Sequence, residues 1–338
     1  MPKTIAAMDL GSNTFRLLVG VGDEFGVLLE KKVWQEIPRL SEALIAGGPF
    51  KKEARERAFE ALEVFAGILA EHPPEKTLAC ATMAARIASD GKLFVEETRR
   101  RHGWETLILS GEEEAFLSAT GVLSGLKKND PDRDNLIFDI GGRSTEFILA
   151  DARKIKKTLS LPLGVVSLTE TFLKNDPPEP GELGALSAFV KEALFPLEDF
   201  FDLPFEEDQG HLSPGDPETS RLERVPLFDL CGTAGTVTTI GAMLLGLAEY
   251  DPARVNNARM ALADVENLLC DLSLEKTAVR AERPGLHPKR ADVVVAGLAL
   301  TAEIARRFSQ DYLIVSDNGL LEGIWLKAAG LSESPTPD

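Results

Sequence analysis

Short apolar runs alternate along the chain with turn residues and amphipathic stretches. Residues 4–10, TIAAMDL, end at the turn Gly11-Ser12-Asn13-Thr14, and FRLLVGV follows as a second apolar run, which predicts a β-hairpin. Within residues 51–71, Ala58, Leu62, Phe65 and Leu69 recur at helical spacing, with Ala61 and Ile68 beside them and charged residues between. That pattern predicts a helix with one buried face. TLACATMAARIAS reads as a strand and then a helix, and ETLILSG followed by EEEAFLSATGVLSGL reads the same way. Alternation of this kind predicts an α/β layer architecture.

A Lys, Asn, Asp and Pro stretch at residues 127–134 interrupts the pattern, and a second apolar hairpin opens at Leu136, so a domain junction is expected there. KNDPPEPGE and the acidic, Pro-rich stretch 202–226 read as surface loops that bracket a helix over residues 183–201. VPLFDL reads as a strand, TVTTIGAML as a helix and ADVVVAGLALTAEIARRF as an amphipathic helix, while SESPTPD reads as a loose tail.

The strongest signal is an internal repeat. MDLGSNTFRLLVG, starting at Met8, and FDIGGRSTEFILA, starting at Phe138, share an apolar residue, Asp, an apolar residue, Gly, a small residue, any residue, Ser or Thr, and then an apolar strand. Their aspartates, Asp9 and Asp139, are 130 residues apart. A third glycine turn, Cys231-Gly232-Thr233-Ala234-Gly235-Thr236, lies between a strand and a helix, where free amides and the positive helix end suit an anion.

Composition narrows the function classes. At roughly 150 residues per domain, 338 residues suggest about two domains, and 44% hydrophobic with 27% charged residues is ordinary for a globular protein. A net charge of −17 disfavours broad binding to duplex nucleic acid or an anionic membrane. Cys80, Cys231 and Cys270 are odd in number and widely spaced, which fits neither a disulfide framework nor a zinc cluster and points to a reducing cytoplasm. The nearly apolar stretch 236–248 falls short of the ~20 residues of a membrane helix. The start of the chain lacks the hydrophobic region of a secretory signal, so the mature protein is expected to begin where the sequence does.

Gly-rich turns let a backbone come close to phosphate, since no Cβ intervenes. On that basis Gly11, Ser12, Asn13 and Thr14 in the first turn, Gly141, Gly142, Arg143, Ser144 and Thr145 in the second, and Gly232, Thr233 and Gly235 in the third are candidate phosphate-binding residues. The aspartate before each hairpin turn is the wrong sign for an anion, and a divalent cation would resolve the conflict, so Asp9 and Asp139 are candidate Mg²⁺ ligands. Capping each turn is the competing role for them.

Arg16 and Glu146 each follow their aspartate by seven residues, so the repeat gives them equivalent places with opposite charge. They are expected to face one cleft from two sides, Arg16 holding an anion and Glu146 orienting water or metal. Ser110 and Glu113 form a capping box that accounts for the acidic helix start, whereas Glu114 lines up with Ser118, Gly121 and Gly125 and is a candidate catalytic base. Arg280, Arg283, Lys289 and Arg290 form a basic cluster able to guide a polyanion, or else a salt-bridged surface. His72, His102, His211 and His287 have no metal-ligand spacing.

The chain resembles the exopolyphosphatase and guanosine pentaphosphate phosphohydrolase (Ppx/GppA) family, part of the actin, sugar kinase and Hsp70 superfamily. The resemblance rests on MDLGSNTFRLLV, ATMAARIAS, ILSGEEEAFLSATGV, FDIGGRSTEF, LPLGVVSLTE, GTAGTVTTIGAM, RPGLHPKRADVVVAGLAL and VSDNGLLEGIW in family order. It implies an α/β fold of two ribonuclease H-like domains around a central cleft. The first domain is expected at 1–126 and the second at 135–310, with residues 311–330 packing back on the first and 331–338 a tail. It further implies Glu114 as the base that activates water, Asp139 and Glu146 as organisers of water and Mg²⁺, and Asn13, Arg86 and the turns at Gly141 and Gly232 as phosphate contacts.

Some positions depart from the family pattern. Arg143 stands where a third glycine is usual, Ser41 where glycine is typical, Asn256-Asn257 where His-Gly is typical and Leu321 where arginine is typical. If the third turn position is left-handed, arginine costs on the order of 1 kcal/mol there, and its side chain would grip a phosphate or block one. The resemblance implies polyphosphate or guanosine pentaphosphate bound in the cleft and a homodimer; the first reading is a cytoplasmic, Mg²⁺-dependent exopolyphosphatase acting on inorganic polyphosphate. The alternatives are a guanosine pentaphosphate phosphohydrolase, an ATP-dependent small-molecule kinase on the same fold, and a polyphosphate- or nucleotide-binding protein whose turnover Arg143 has weakened.

Overall fold

A computed structural model describes residues 3–23, 28–127, 133–151, 155–203, 205–207 and 224–331. The centre of the 127–134 break, most of the 202–226 stretch with His211, and nearly all of the tail fall outside the described residues.

The first sheet contains β1 (Lys3–Leu10), β2 (Phe15–Gly22), β3 (Leu28–Glu36), β4 (Lys76–Ala81) and β5 (Glu105–Ile108), in the order β3-β2-β1-β4-β5. β1 to β3 run antiparallel as a meander, and β4 and β5 add parallel strands beside β1. The sequence explains the placement. TIAAMDL is apolar on both faces and is covered on both, while LLEKKVWQE alternates with charge and lies at the sheet edge.

The second sheet is built from β6 (Asp134–Ile140), β7 (Thr145–Ala150), β8 (Ile155–Leu161), β11 (Phe228–Thr233), β12 (Arg259–Ala261) and β13 (Tyr312–Val315). Its order β8-β7-β6-β11-β13 repeats the first sheet, with β12 added antiparallel at the edge. A small ribbon pairs β9 (Phe205–Glu207) with β10 (Arg224–Pro226).

In the first domain α1 (Lys52–Glu71) buries Ala58, Ala61, Leu62, Phe65 and Leu69 of the stripe read from its spacing, together with Ala54 and Phe59, while Ile68 is half-buried. The short α2 (Met83–Ile87) is followed by α3 (Gly91–His102), a helix the apolar pattern did not reveal. α4 (Gly111–Gly125) leaves β5, and its Ala115, Ala119 and Val122 pack on Ile137, Ile148, Cys231 and Ile314 of the second sheet. In return α13 (Leu320–Ala328) leaves β13 and packs Leu321, Ile324 and Trp325 on Ile5, Ala7 and Leu18 of the first sheet. The two helices touch through glycine: a Cβ on Gly121 would lie 1.9 Å from Gly319 O, and one on Gly323 would lie 1.8 Å from Leu117 O.

Around the second sheet lie α5 (Val165–Phe172), α6 (Pro180–Leu194), α7 (Leu197–Phe201), α8 (Ala234–Leu244), α9 (Pro252–Val255), α10 (Leu262–Ser273), α11 (Thr277–Arg280) and α12 (Val294–Arg307). The helix expected over 183–201 is two helices. Pro196 lies at the break, where it has no N–H to continue the ladder. α12 is not amphipathic in place: every residue from Val294 to Ala305 is buried, because α5, α6, α8 and α10 surround it. No helix of the described residues is long and apolar enough to cross a membrane.

Candidate active site

The sequence repeat is also a repeat of register. Asp9 lies opposite Arg16 across β1 and β2, and Asp139 lies opposite Glu146 across β6 and β7. Each turn closes in the same way, Gly11 N donating to Thr14 O at 3.2 Å and Gly141 N to Ser144 O at 2.9 Å. A Cβ on Gly11 would come within 2.7 Å of Thr14 O, so this turn needs glycine for closeness.

The turn carbonyls are held from behind. Ser12 O and Asn13 O accept from Ser41 N and Arg39 N, while Gly141 O and Gly142 O accept from Val165 N and Val166 N at the start of α5. The amides of residues 12–14 and 142–144 make no backbone hydrogen bond outside the strands among the described residues, which leaves donors for an anion. No residue of either turn has a positive φ, so Arg143 carries no left-handed strain.

Asp9, Glu114, Asp139 and Glu146 line one cleft together with Arg16 and Arg290, which joins the two turns into a single site. Arg16 and Glu146 thus face the same space. The capping box of α4, Ser110 with Glu113, fixes the helix start and leaves Glu114 turned inward and buried. Arg86 Nη1 donates to Glu114 Oε2 at 2.6 Å and to Leu109 O at 2.8 Å. Ser118, one turn beyond Glu114, donates to Asp139 Oδ2 at 2.7 Å, and Ser160 donates to Glu146 Oε1 at 2.9 Å. Asp9 Oδ1 is buried with no hydrogen-bond partner.

Burial sets the protonation of these groups. It lifts Glu114 to about 7 against the opposing charge of Arg86, with Asp139 adding to the rise. It lifts Asp9 to about 8, opposed by Arg16 and helped by Glu114, Asp139 and Glu322. Asp139 is also raised by burial, against its Ser118 hydrogen bond and Arg16, and Glu146 is held well above the usual range by burial and by the charges of Glu114 and Asp139. Burial works against the charge on Arg16, but Glu322, Asp317 and Asp9 outweigh it and keep the guanidinium more firmly protonated than usual. Arg290 is brought down to about 10 by burial and by the neighbouring Arg16, so it remains charged at neutral pH.

Among the described residues no three His, Cys, Asp or Glu side chains form a ready metal cage. Asp139 and Glu146 each have one oxygen engaged by a serine hydroxyl, Ser118 and Ser160 respectively, which leaves the other oxygen of each without a side-chain donor among those hydrogen bonds. The partnerless Asp9 oxygen beside an excess of carboxylates suits Mg²⁺, which takes one or two protein carboxylates and completes its shell with water and phosphate oxygens.

Several expected phosphate contacts lie elsewhere. Arg86 stands behind Glu114, bound to its carboxylate, and does not line the cleft. Arg143 points out of the cleft to Ser41 and Glu170. Thr145 is fully buried and donates to Leu163 O at 2.5 Å. Gly232 is a packing glycine, since a Cβ there would lie 2.6 Å from the Phe138 ring, and Thr233 Oγ1 donates to Asn318 O at 2.8 Å. The third turn is short, passing from β11 to α8 at Ala234, whose φ of 65° makes the bend between strand and helix. Gly11, Ser12, Asn13, Thr14, Gly141, Gly142, Ser144 and Gly235 do line the cleft. At Gly235 the space a Cβ would fill holds the guanidinium of Arg290, 2.1 Å from that position.

Thr82, Thr236, Thr239 and Arg290 line the cleft without having been chosen from the sequence. Arg290 had a signal, its place in the basic cluster. In the fold that cluster disperses: Arg280 is buried against Asp176 and Arg283 pairs with Glu275, while Arg290 Nη2 reaches Thr14 Oγ1 at 3.4 Å. The threonines gave no signal, because a hydroxyl becomes a ligand only when the fold aims it.

Two mixed α/β sheets of equivalent strand order, each opening with a hairpin whose turn faces a shared acidic cleft, form a two-domain fold of the ribonuclease H-like type. Residues 26–210 and 220–331 match the model of the Ppx/GppA phosphatase family, and the chain belongs to that family. The bifunctional 3-dehydroquinate synthase/phosphatase of Fusobacterium nucleatum is 31% identical over 95% of this chain, which spans 46% of that protein. Exopolyphosphatase 2 of Mycobacterium tuberculosis is 31% identical over 96% of this chain and 98% of its own length. The guanosine-5'-triphosphate,3'-diphosphate pyrophosphatase of Vibrio vulnificus is 28% identical, and the chain spans 58% of it. The crystal structure of the Aquifex aeolicus Ppx/GppA family member superimposes with a TM-score of 0.76 at 26% identity, covering 97% of both chains.

Proposed function

We infer that this protein is an exopolyphosphatase that uses Mg²⁺ to hydrolyse the terminal phosphoanhydride of inorganic polyphosphate. The observation that carries the reading is the cleft itself, where the inward-turned Glu114, raised to about 7, borders the free amides of two phosphate-suited turns. The near end-to-end match to a relative named exopolyphosphatase supports it over the pentaphosphate reading, whose relative is considerably longer.

In this reading the turn amides, Arg16 and Arg290 bind and orient phosphate oxygens, and Glu114 takes the proton of the attacking water. Arg86 holds the Glu114 carboxylate in place and favours its ionised form. Asp9 and Asp139 would hold Mg²⁺, with Glu146 orienting water beside it. Bound there, the ion would neutralise phosphate oxygens and stabilise charge on the transferring group.

Phosphate release from long-chain polyphosphate, with and without Mg²⁺, tests the reading in the wild type and in Glu114→Gln. The expected result is metal-dependent release that falls by at least about 10²-fold in the variant. Release surviving in Glu114→Gln would remove the base assignment. A wild type active on guanosine pentaphosphate but not on polyphosphate would overturn the substrate.

A further inference from the structure

The repeat makes residues 13 and 143 equivalent, yet one is a short asparagine and the other a long arginine. The two turns meet at their tips, since a Cβ on Gly142 would lie 3.3 Å from Asn13 Cβ and 3.5 Å from Ser12 Cβ. Segment 37–44, between β3 and α1, docks on the outer side of the first turn through Ser41 N to Ser12 O at 2.9 Å and Arg39 N to Asn13 O at 3.1 Å.

Arg143 reaches over this junction from the second domain. Its Nη2 donates to Ser41 O at 2.6 Å and pairs with Glu170 Oε2 at 3.2 Å, while Nε lies 3.4 Å from Ser41 Oγ. A second guanidinium crosses in the opposite direction: Arg39 donates from Nη1 to Asp292 Oδ2 at 2.8 Å and from Nη2 to Lys289 O at 2.7 Å. Each domain thus contributes one arginine to a reciprocal fastening.

The segment being fastened is strained. Arg39 and Ala43 have φ of 53° and 49°, a left-handed conformation that non-glycine residues keep only where their surroundings enforce it. Ser41 is buried beneath the Arg143 side chain. Opening the cleft would separate Arg143 from Ser41 and Arg39 from Asp292 and Lys289 together, because each of these pairs spans the two domains, whereas the Arg143–Glu170 pair lies within the second.

The geometry points to Arg143 as a latch: with Arg39 it fastens segment 37–44 to the second domain and sets how readily the cleft opens to admit and release a phosphate chain. It is a positioning residue that touches no reacting atom. The latch is independent of which phosphoanhydride is cleaved, and its main test requires no turnover.

The test is pulsed electron-electron resonance on the full chain in a Cys270→Ser background, with spin labels at Glu60→Cys on α1 and Glu192→Cys on α6, both exposed. Without ligand, Arg143→Gly is expected to lengthen and broaden the distance distribution, Arg39→Ala to move it the same way, and Arg143→Lys, which keeps one donor, to fall between. With inorganic tripolyphosphate the apparent KM of Arg143→Gly should rise roughly three- to tenfold while kcat stays the same or increases, as expected when the closed population falls. An unchanged distribution in Arg143→Gly overturns the latch. A KM rise without a change in distance also overturns it and makes Arg143 a phosphate contact. Should Arg143→Gly fail to fold, Arg143→Lys and Arg39→Ala carry the same comparison, and unchanged distances in both overturn the proposal.

Discussion

Arg86 Nη1 lies 2.6 Å from Glu114 Oε2, so the cation that the family motif associates with phosphate is engaged by the candidate base instead. A positive charge at that distance lowers the proton affinity of a carboxylate that burial has raised to about 7. Removing it should send the value higher. In Arg86→Gln, the rising limb of log(kcat/KM) against pH should move up by about one unit or more, with most of the activity loss at pH 7 recovered by pH 9. An unshifted limb with a uniformly lower rate would mean that Arg86 acts on phosphate directly.

Asp9 gives a stability prediction for the metal-free protein. Its folded value of about 8 lies above its ordinary 3.8, so the stability it contributes is complete below the ordinary value and is lost as pH rises through about 8. Asp9→Asn mimics the protonated form. In EDTA the substitution should raise Tm by several degrees at pH 8 and by less at pH 5. Thermal melts at the two pH values check the sign, and an equal or reversed gain would contradict the burial argument.

Arg290 offers an affinity prediction. It lies in the cleft beside Arg16, hydrogen-bonded to Thr14, and no described carboxylate is within ion-pair distance of it. A guanidinium kept without an anion is set to accept one. Arg290→Ala should weaken tripolyphosphate binding by roughly ten- to a hundredfold, the worth of a hydrogen bond to a charged group, with little loss of Tm because the repulsion with Arg16 is also relieved. Titration calorimetry in a Glu114→Gln background, expected to be inactive, would measure it without turnover.

Two glycines separate close packing from helix propensity. Gly323→Ala would place a methyl 1.8 Å from Leu117 O, on backbone that cannot swing aside, and should cost at least about 1–3 kcal/mol. Gly67 sits in the exposed side of α1 with nothing within 4 Å of a Cβ, so Gly67→Ala should stabilise by about 0.5–1 kcal/mol. Chemical denaturation of the two variants should move in opposite directions.

Much of the fold was written locally. The 3.6-residue stripe of α1, the capping box of α4 and the two hairpins follow from spacing and turn chemistry, and the doubled Asp-x-Gly motif carried over directly into equivalent registers. The carboxylates of the cleft were legible because the repeat and the family motif single them out, and because a charge turned toward small residues needs a reason to be there. α3 and the burial of α12 were not legible. α3 has a weak apolar signal among arginines and glutamates, and α12 is enclosed by helices that come from distant parts of the chain.

The arginines and the threonines were decided by tertiary structure alone. Arg86, Arg143 and Arg290 are chemically identical in the sequence, yet one holds the candidate base, one bridges the domains and one faces the cleft. A guanidinium on a long, flexible stem takes its role from whatever carboxylate or carbonyl the fold brings within about 3 Å, and those partners lie up to hundreds of residues away. Short, fixed groups behave otherwise: a glycine in a tight turn or an aspartate at a strand end has its position set by its own backbone. The sequence by itself therefore determined the sheets, the turns and the acidic floor of the cleft, and only the packing of the two domains decided which cations meet them.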